Sequence, residues 1–182
     1  MGNPSDPRVT EIHNLLEHRA NASYGLHGIT QREHALQTVM FAGHPSAFIA
    51  AALLQDIGRL LHQLGHVPTA ESVDDGHEAA GHRYLARWFA PQLTEPVRLH
   101  VAAKRYLCAT ELGYFGKLSA DSVLSLALQG GPMSRTETEA FYGTPHWREA
   151  VQLRRYDEAA KVRNFDPPEI AHFLPHVVAS FA

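Results

Sequence analysis

The residues in this sequence that are best suited to chemistry are histidines and aspartates, which can bind a metal ion. The chain has 13 histidines but a single cysteine, Cys108. One cysteine cannot form an intrachain disulfide or a zinc site built from several thiolates. Imidazole and carboxylate ligands suit iron, manganese or zinc in sites that do chemistry. The composition therefore favours a metal or proton-transfer function in a reducing compartment.

Five candidate metal ligands lie on five different predicted helices. They are His34, Asp56, His77, His100 and Asp157. Asp56 follows Gln55 inside the most apolar segment of the chain, where an unpaired carboxylate is costly and a cation would compensate for it. Any one histidine, taken singly, is more often a hydrogen-bonded or surface residue than a ligand. The set as a whole is what indicates a metal site.

Apolar spacing predicts helices almost everywhere, and strand-like alternation is absent. A capping box formed by Thr30 and Glu33 begins the helix that carries His34. Residues 46–64 are predicted to form one central buried helix, and Gly65 begins a loop. Other helices are predicted over 9–20 and 77–89, from Thr94, around 122–128, from Ser134 and from Thr144–Pro145 to Lys161, with turns and a short helix in the tail. The fold class that we expect is all-α, with one domain over residues 1–182.

Length and charge exclude several classes of protein. The 182 residues are 45% hydrophobic, which is enough for one sizeable core. The formal net charge of −3 leaves no cationic excess for binding nucleic acid or an anionic membrane surface. No apolar run has the length of a signal peptide or a membrane span. We therefore expect a cytoplasmic protein with no nucleic-acid or membrane partner.

The order of these motifs resembles the HD-domain mixed-valent diiron oxygenases of organophosphonate catabolism. The matching elements are His34, Asp56, Gly76-His77-Glu78-Ala79, HVAAKRYL at 100–107, QGGPM at 129–133 and QLRRYDE at 152–158. The resemblance runs over about residues 24–161. It implies a single HD-domain helical bundle with the metal site in its core, and a C-terminal tail packed on that domain.

The resemblance also implies a ligand set for two iron ions. His77 and His100 would hold one iron, and Asp56 would bridge it to the other. The second iron would take His34 and Asp157, together with the phenolate of Tyr24 in the substrate-free state. An Fe(II)/Fe(III) pair of this kind activates O2 to cleave the C–P bond of a small anionic organophosphonate, which gives phosphate and a carboxylic acid.

Three further residues match positions that contact the phosphonate group in the family, namely Lys104, Ser122 and Arg154. Lys104 lies one helical turn after His100, and Arg154 lies three residues before Asp157, so both can share a cavity with those ligands. Charge-assisted donors suit a phosphonate dianion. Considered without the resemblance, Lys104 would be a solvated side chain and Arg154 an intrahelical partner of Glu158.

The sequence departs from the family at three positions of the site. Gln55 replaces the histidine of the His-Asp pair, and a carboxamide is a poorer iron ligand, so its metal position is expected to be weak or empty. Arg59 replaces a histidine and can still meet an anion. His27 replaces a glutamate that pairs with a substrate amino group, so we expect a substrate with a different or uncharged tail. One tightly bound and one weakly bound metal ion is the state that we expect.

Two alternatives to the oxygenase stay open at this stage. HD domains are commonly metal-dependent phosphohydrolases, in which a metal-bound hydroxide attacks a phosphoester. Gln55 motivates the other alternative, a degenerate, non-catalytic protein that binds phosphonate or phosphate. The oligomeric state is not predicted.

Overall fold

The computed structural model describes residues 6–61 and 74–182, and within them the protein is all-helical. The ten α-helices of these residues are α1 (Pro7–Asn14), α2 (Gln31–Phe41), α3 (Ser46–Leu54), α4 (Ile57–Leu61), α5 (His77–Leu85), α6 (Pro91–Thr110), α7 (Ala120–Leu128), α8 (Arg135–Tyr142), α9 (Trp147–Ala159) and α10 (Ile170–Val178). A π-helical turn, Leu15–Arg19, extends α1, and a 3₁₀ turn, Phe115–Lys117, precedes α7. The described residues form no β-strand, so the all-α prediction is confirmed.

The predicted capping boxes begin the helices that they mark. Thr30 and Glu33 cap α2 reciprocally, since the Thr30 side chain accepts from the Glu33 N–H and the Glu33 carboxylate accepts from the Thr30 N–H. Ser134 and Glu137 do the same for α8. Each box satisfies two backbone donors that a helix start otherwise leaves unpaired.

The apolar segment over 46–64 is not one helix, which corrects the prediction. It divides into α3 and α4 at a turn formed by Gln55 and Asp56. After the turn, Gly58 lies against α5, where a Cβ would come within 1.9 Å of the His77 carbonyl oxygen. The chain bends because α4 packs on α5 rather than continuing along α3. Residues 62–64 and most of the predicted 65–76 loop lie outside the described residues.

Two helix starts also differ from the prediction. Helix α6 begins at Pro91 rather than at Thr94, because proline suits the first helical position, where its missing N–H is not needed. The last long helix, α9, begins at Trp147 rather than at Pro145. Its N-cap, His146, has φ of 63°, a left-handed conformation that the Thr144–Pro145 pair does not signal.

The core lies around α3, which packs against α2, α6, α9 and α10. The small side chains of Ala50, Ala51 and Ala52 are buried and let neighbouring helices approach closely. The helix α6 lies between α9 and α5 and contacts both. This arrangement brings the middle of α2, the α3–α4 turn, the start of α5, the middle of α6 and the end of α9 to one place. In the described part of the chain, we find no helix with both the length and the apolar character required to cross a membrane.

Candidate metal centre

The helices bring the five predicted ligands together as two groups that share one residue. Within each group the ligand atoms lie within 4.8 Å of one another. One group is Asp56, His77 and His100, and the other is His34, Asp56 and Asp157. All five residues are buried. The sequence therefore predicted correctly which residues meet.

The first group is held by α5, α6 and the α3–α4 turn. Nε2 of His77 lies 3.1 Å from Nε2 of His100 and 3.1 Å from Oδ1 of Asp56. Nε2 of His100 lies 3.9 Å from the same Asp56 oxygen. Two imidazoles and one carboxylate therefore point at one position, which is the ligand type of non-haem Fe(II) sites.

The second group forms around the other oxygen of Asp56. Nε2 of His34 lies 3.4 Å from Oδ2 of Asp56 and 2.9 Å from Oδ1 of Asp157. In the described structure, the buried Asp56 Oδ2 accepts no hydrogen bond. Asp56 thus directs one oxygen to each group, as a bridging ligand would.

Backbone carbonyls fix the tautomers of two of these histidines. Nδ1 of His34 donates to the Ala160 carbonyl at 2.8 Å, and Nδ1 of His100 donates to the Val97 carbonyl at 2.7 Å. A carbonyl only accepts, so each Nδ1 carries the hydrogen and each Nε2 keeps its lone pair. Burial lowers the pKa of His34 and lowers that of His100 to about 4, which keeps both rings neutral. Neutral imidazole is the form that binds metals.

A carboxylate orients the third histidine. Nδ1 of His77 lies 2.6 Å from Oδ1 of Asp75, which also accepts from the His77 backbone N–H. Burial and Arg59 would lower the pKa of His77, but the carboxylates of Asp75 and Asp56 outweigh them and raise it to about 9. Such an anionic environment attracts a proton or, in its place, a metal cation. The converging ligand atoms and the unpartnered Asp56 oxygen therefore fit a metal site.

Gln55 stands beside the second group and is fully buried. Its Nε2 lies 3.1 Å from Nε2 of His34 and donates to Oγ1 of Thr38 at 3.3 Å. Among the residues described, none hydrogen-bonds Oε1 of Gln55. The amide N–H groups thus occupy the lone pair that His34 would offer a cation. A cation bound to His34 here would require the carboxamide to turn its N–H group away from Nε2 of His34.

Tyr24 lies against the second group. Its hydroxyl donates to Oδ1 of Asp157 at 3.1 Å, and its ring stacks on His34 with a centroid separation of 3.8 Å. Burial and the Asp56 carboxylate raise the pKa of Tyr24 well above its ordinary value. The phenol therefore holds its proton unless a cation is present.

A cavity opens over both groups. Ten of the residues singled out from the sequence line it, and these are Tyr24, His27, Asp56, Arg59, His77, His100, Lys104, Ser122, Arg154 and Asp157. His34 and Gln55 are wholly buried. The set predicted from the sequence thus forms one site.

The predicted phosphonate contacts are buried cations and a hydroxyl. Lys104 is only 3% exposed and donates to Oγ of Ser125 at 2.6 Å, so the solvated alternative is wrong. Arg154 does pair with Glu158 within its helix, but it also pairs with Asp157 and donates to Oγ of Ser122 at 3.2 Å. Arg154 therefore has both the intrahelical partner and the inward position.

The two other departures from the family lie at the cavity wall. Arg59 pairs with Oδ2 of Asp75 at 2.5 Å and lies 3.5 Å from Oδ1 of Asp56. His27 stacks on Tyr24, and its Nε2 lies 3.5 Å from Oδ2 of Asp121. Burial and Lys161 lower the pKa of His27, so its ring is neutral at pH 7. His27 thus places a neutral ring at the cavity wall, with the Asp121 carboxylate beside it.

Sequence reasoning missed three residues that the structure adds to the site, namely Asp75, Asp121 and Lys161. Lys161 follows Asp157 by four residues, a helical spacing that could have identified it. Asp75 precedes His77 in a predicted loop, and Asp121 precedes Ser122. Nothing in their local spacing separates these two aspartates from ordinary surface residues.

Two known proteins are similar to this chain over most of their length. No family model matches the chain. The chain is 39% identical over 172 residues to a [1-hydroxy-2-(trimethylamino)ethyl]phosphonate dioxygenase (glycine-betaine-forming) from Leisingera caerulea, covering 93% of this chain and 88% of that protein. It is 40% identical over 176 residues to a hydroxymethylphosphonate dioxygenase from Gimesia maris, covering 93% and 86% respectively.

Both relatives are phosphonate dioxygenases, and each match covers most of both proteins. The predicted resemblance to oxygenases of organophosphonate catabolism is thereby confirmed. The chain belongs to the family of the hydroxyphosphonate dioxygenases.

Proposed function

We propose that the protein is an iron- and O2-dependent oxygenase that cleaves the C–P bond of a 1-hydroxyphosphonate. The reaction converts one hydroxyphosphonate and one O2 into one phosphate and one carboxylic acid. The observation that carries the proposal is the pair of buried ligand groups sharing Asp56, directly below a cavity lined by basic side chains. The names of the relatives support the same reaction class.

The ligand chemistry supports two iron positions of unequal strength. His77, His100 and Asp56 would hold the tight iron, and His34, Asp56 and Asp157 the weak one. When bound, an Fe(II)/Fe(III) pair supplies the O2 activation and the removal of the C1 hydrogen that the reaction needs. Gln55 weakens the second position because its N–H group competes for the lone pair of His34.

The basic residues of the cavity bind and orient the phosphonate. Arg154 offers a planar fork to its oxygens, and Lys104 offers a buried ammonium. Ser122 adds a neutral hydroxyl on α7. Arg59, which is already paired with Asp75, contributes positive potential at the opposite side of Asp56.

Tyr24 occupies the place beside Asp157 before substrate binds. Its hydroxyl stays protonated and donates to the Asp157 carboxylate, and its ring stacks on His34. The substrate hydroxyl competes with the Tyr24 hydroxyl for this place. Removal of the Tyr24 hydroxyl therefore changes substrate affinity more than iron content.

The residue at position 27 bears on the tail of the substrate. His27 lines the cavity as a neutral ring, so it offers no fixed negative charge to a substrate ammonium group. A substrate with an uncharged or absent tail suits this wall better than one with a primary ammonium group. We also propose that the chain works as a single HD domain in the cytoplasm, where its lone cysteine stays reduced.

An aerobic and anaerobic comparison tests the function. The iron-loaded protein is given hydroxymethylphosphonate, or its trimethylaminoethyl analogue, and phosphate release is measured. We expect phosphate only when O2 is present. Release at the same rate under strict anaerobiosis would instead identify a phosphohydrolase, and no release with measurable binding would identify a binding protein.

A further inference from the structure

Lys161 places a buried ammonium in the cavity wall. Its side chain is 8% exposed, although it follows the last turn of α9. Nζ lies 2.9 Å from Oγ of Ser122, the predicted phosphonate contact, and 3.4 Å from Oγ of Ser119. Burying a lysine is costly unless its charge is compensated. The position therefore calls for an anionic partner.

Glu158 supplies part of that compensation. Its Oε2 accepts from Nζ of Lys161 at 2.9 Å, from Oγ of Ser122 at 2.9 Å, and from Arg154. Its Oε1 accepts the backbone N–H of Ser119 at 2.9 Å. Oε2 of Glu158 thus accepts hydrogen bonds from three donors, all of which belong to residues that line the cavity.

Two cations share the Glu158 carboxylate, because Arg154 and Lys161 both donate to its Oε2. Lys104, Arg154 and Lys161 all line the cavity, and Asp157, which also pairs with Arg154, belongs to the metal-ligand set. Burial and the neighbouring cations lower the pKa of Lys104 to about 7, and burial and Arg154 lower the pKa of Lys161 to about 8. A doubly charged anion would relieve this repulsion.

We propose that Lys161 is a further substrate-binding residue, which contacts a phosphonate oxygen, and that Glu158 positions it together with Arg154 and Ser122. This inference rests on the proposed function, because it assumes a phosphonate in the cavity. When the phosphonate binds, Lys161 donates to a phosphonate oxygen with part of the ammonium group that donates to Glu158 in the free protein. The alternative is a purely structural role, in which Lys161 only neutralises the charge of Glu158.

A double-mutant cycle separates the two roles of Lys161. Binding of methylphosphonate to the iron-loaded protein is measured by calorimetry under anaerobic conditions, for Lys161→Met, Glu158→Gln and the double variant. Lys117→Met is the matched control, because Lys117 has a side chain 69% exposed and pairs with Glu111 outside the cavity. Iron content and thermal unfolding verify that each variant is folded, and Lys161→Gln replaces Lys161→Met if that variant fails to fold.

We expect Lys161→Met to raise the Kd about tenfold or more, and Lys161→Arg to restore most of the affinity. A smaller but still measurable rise in Kd is expected when Lys161→Met is added to Glu158→Gln, because the amide oxygen introduced at position 158 still accepts from Lys161 but holds it less firmly. In steady-state assays the KM rises while kcat changes little. The Lys117→Met control leaves the Kd unchanged.

Two results would overturn the proposal in distinguishable ways. If Lys161→Met has no effect in the Glu158→Gln background, Lys161 is only a counter-ion, and the proposed function stands. If the wild-type protein itself binds no methylphosphonate, both the phosphonate substrate and the role of Lys161 are wrong.

Discussion

The side-chain nitrogen of Gln55 lies 3.1 Å from Nε2 of His34, and both side chains are fully buried. The amide therefore competes with a cation for the lone pair of His34. This contact accounts for the unequal strength that we assign to the two metal positions, and it leads to the first prediction.

Replacement of Gln55 by histidine strengthens the second metal position. Gln55→His exchanges a neutral amide for an imidazole ligand, and we expect iron content to rise from about one to about two per chain. Gln55→Leu is the control, since it removes the amide without adding a ligand. Elemental analysis after anaerobic loading measures the ratio, and equal iron in Gln55→His and wild type would refute the ranking of the two positions.

Removal of a ligand from the first group abolishes the tighter iron site. His77→Ala is expected to lose at least half of the bound iron, because His77 contributes a ring nitrogen that Asp75 holds in place. His82→Ala, on the same helix, removes a histidine that pairs with Glu95 away from the two ligand groups, and we expect it to retain the wild-type iron content. Similar losses in both variants would mean that helix stability, rather than ligation, decides iron binding.

Phosphonate affinity falls as pH rises above 7. Burial and nearby cations lower the pKa of Lys104 to about 7, so the free protein loses most of this ammonium by about pH 8. Arginine stays protonated over this range, so Lys104→Arg should show a smaller rise in methylphosphonate Kd than the wild type. An equal rise of the Kd with pH in the two proteins would show that the Lys104 ammonium does not contribute to phosphonate binding.

The lowered pKa of Lys104 also makes the free energy of unfolding depend on pH. The folded pKa of Lys104 lies below its unfolded value of 10.5, so between those values the unfolded state holds more protons. Stability contributed by this group therefore rises with pH from 7 to 10.5. Lys104→Met removes the buried charge and should raise Tm by a few degrees at pH 7. An unchanged or lower Tm, measured by calorimetry, would contradict this sign.

Gly58 is required for α4 to approach α5. A Cβ at this position would lie 1.9 Å from the His77 carbonyl oxygen and 2.8 Å from the Gly81 nitrogen, and backbone atoms cannot move aside cheaply. We expect Gly58→Ala to cost about 3 kcal/mol or more of unfolding free energy and to lower iron content. Gly43→Ala, where no heavy atom outside the immediate chain lies within 4 Å, is the control. A loss below about 0.5 kcal/mol in Gly58→Ala would show that this contact does not fix the site.

Local sequence signals predicted the helices that begin with a side-chain cap. Thr30 and Ser134 mark the starts of α2 and α8, because a capping box depends only on two residues that lie three positions apart in the sequence. The turn at Gln55 and Asp56 was not predicted, since the apolar pattern continues through it and only packing on α5 bends the chain. The N-cap conformation of His146 is likewise set by tertiary structure.

The meeting of His34, Asp56, His77, His100 and Asp157 could be predicted because their order along the chain is distinctive. The shared carboxylate of Glu158 could not be predicted, since it depends on Ser122 and Lys161 meeting it from outside α9. Residues that orient others across the bundle leave little trace in local spacing. The structure is what identifies them.

The ratio of O2 consumed to phosphate released tests the central claim most directly. The iron-loaded protein is supplied with hydroxymethylphosphonate, O2 uptake is followed with an electrode, and phosphate is assayed in the same samples. We predict one O2 consumed for each phosphate released, with one formate formed. Phosphate release without O2 uptake would contradict the assignment as a dioxygenase.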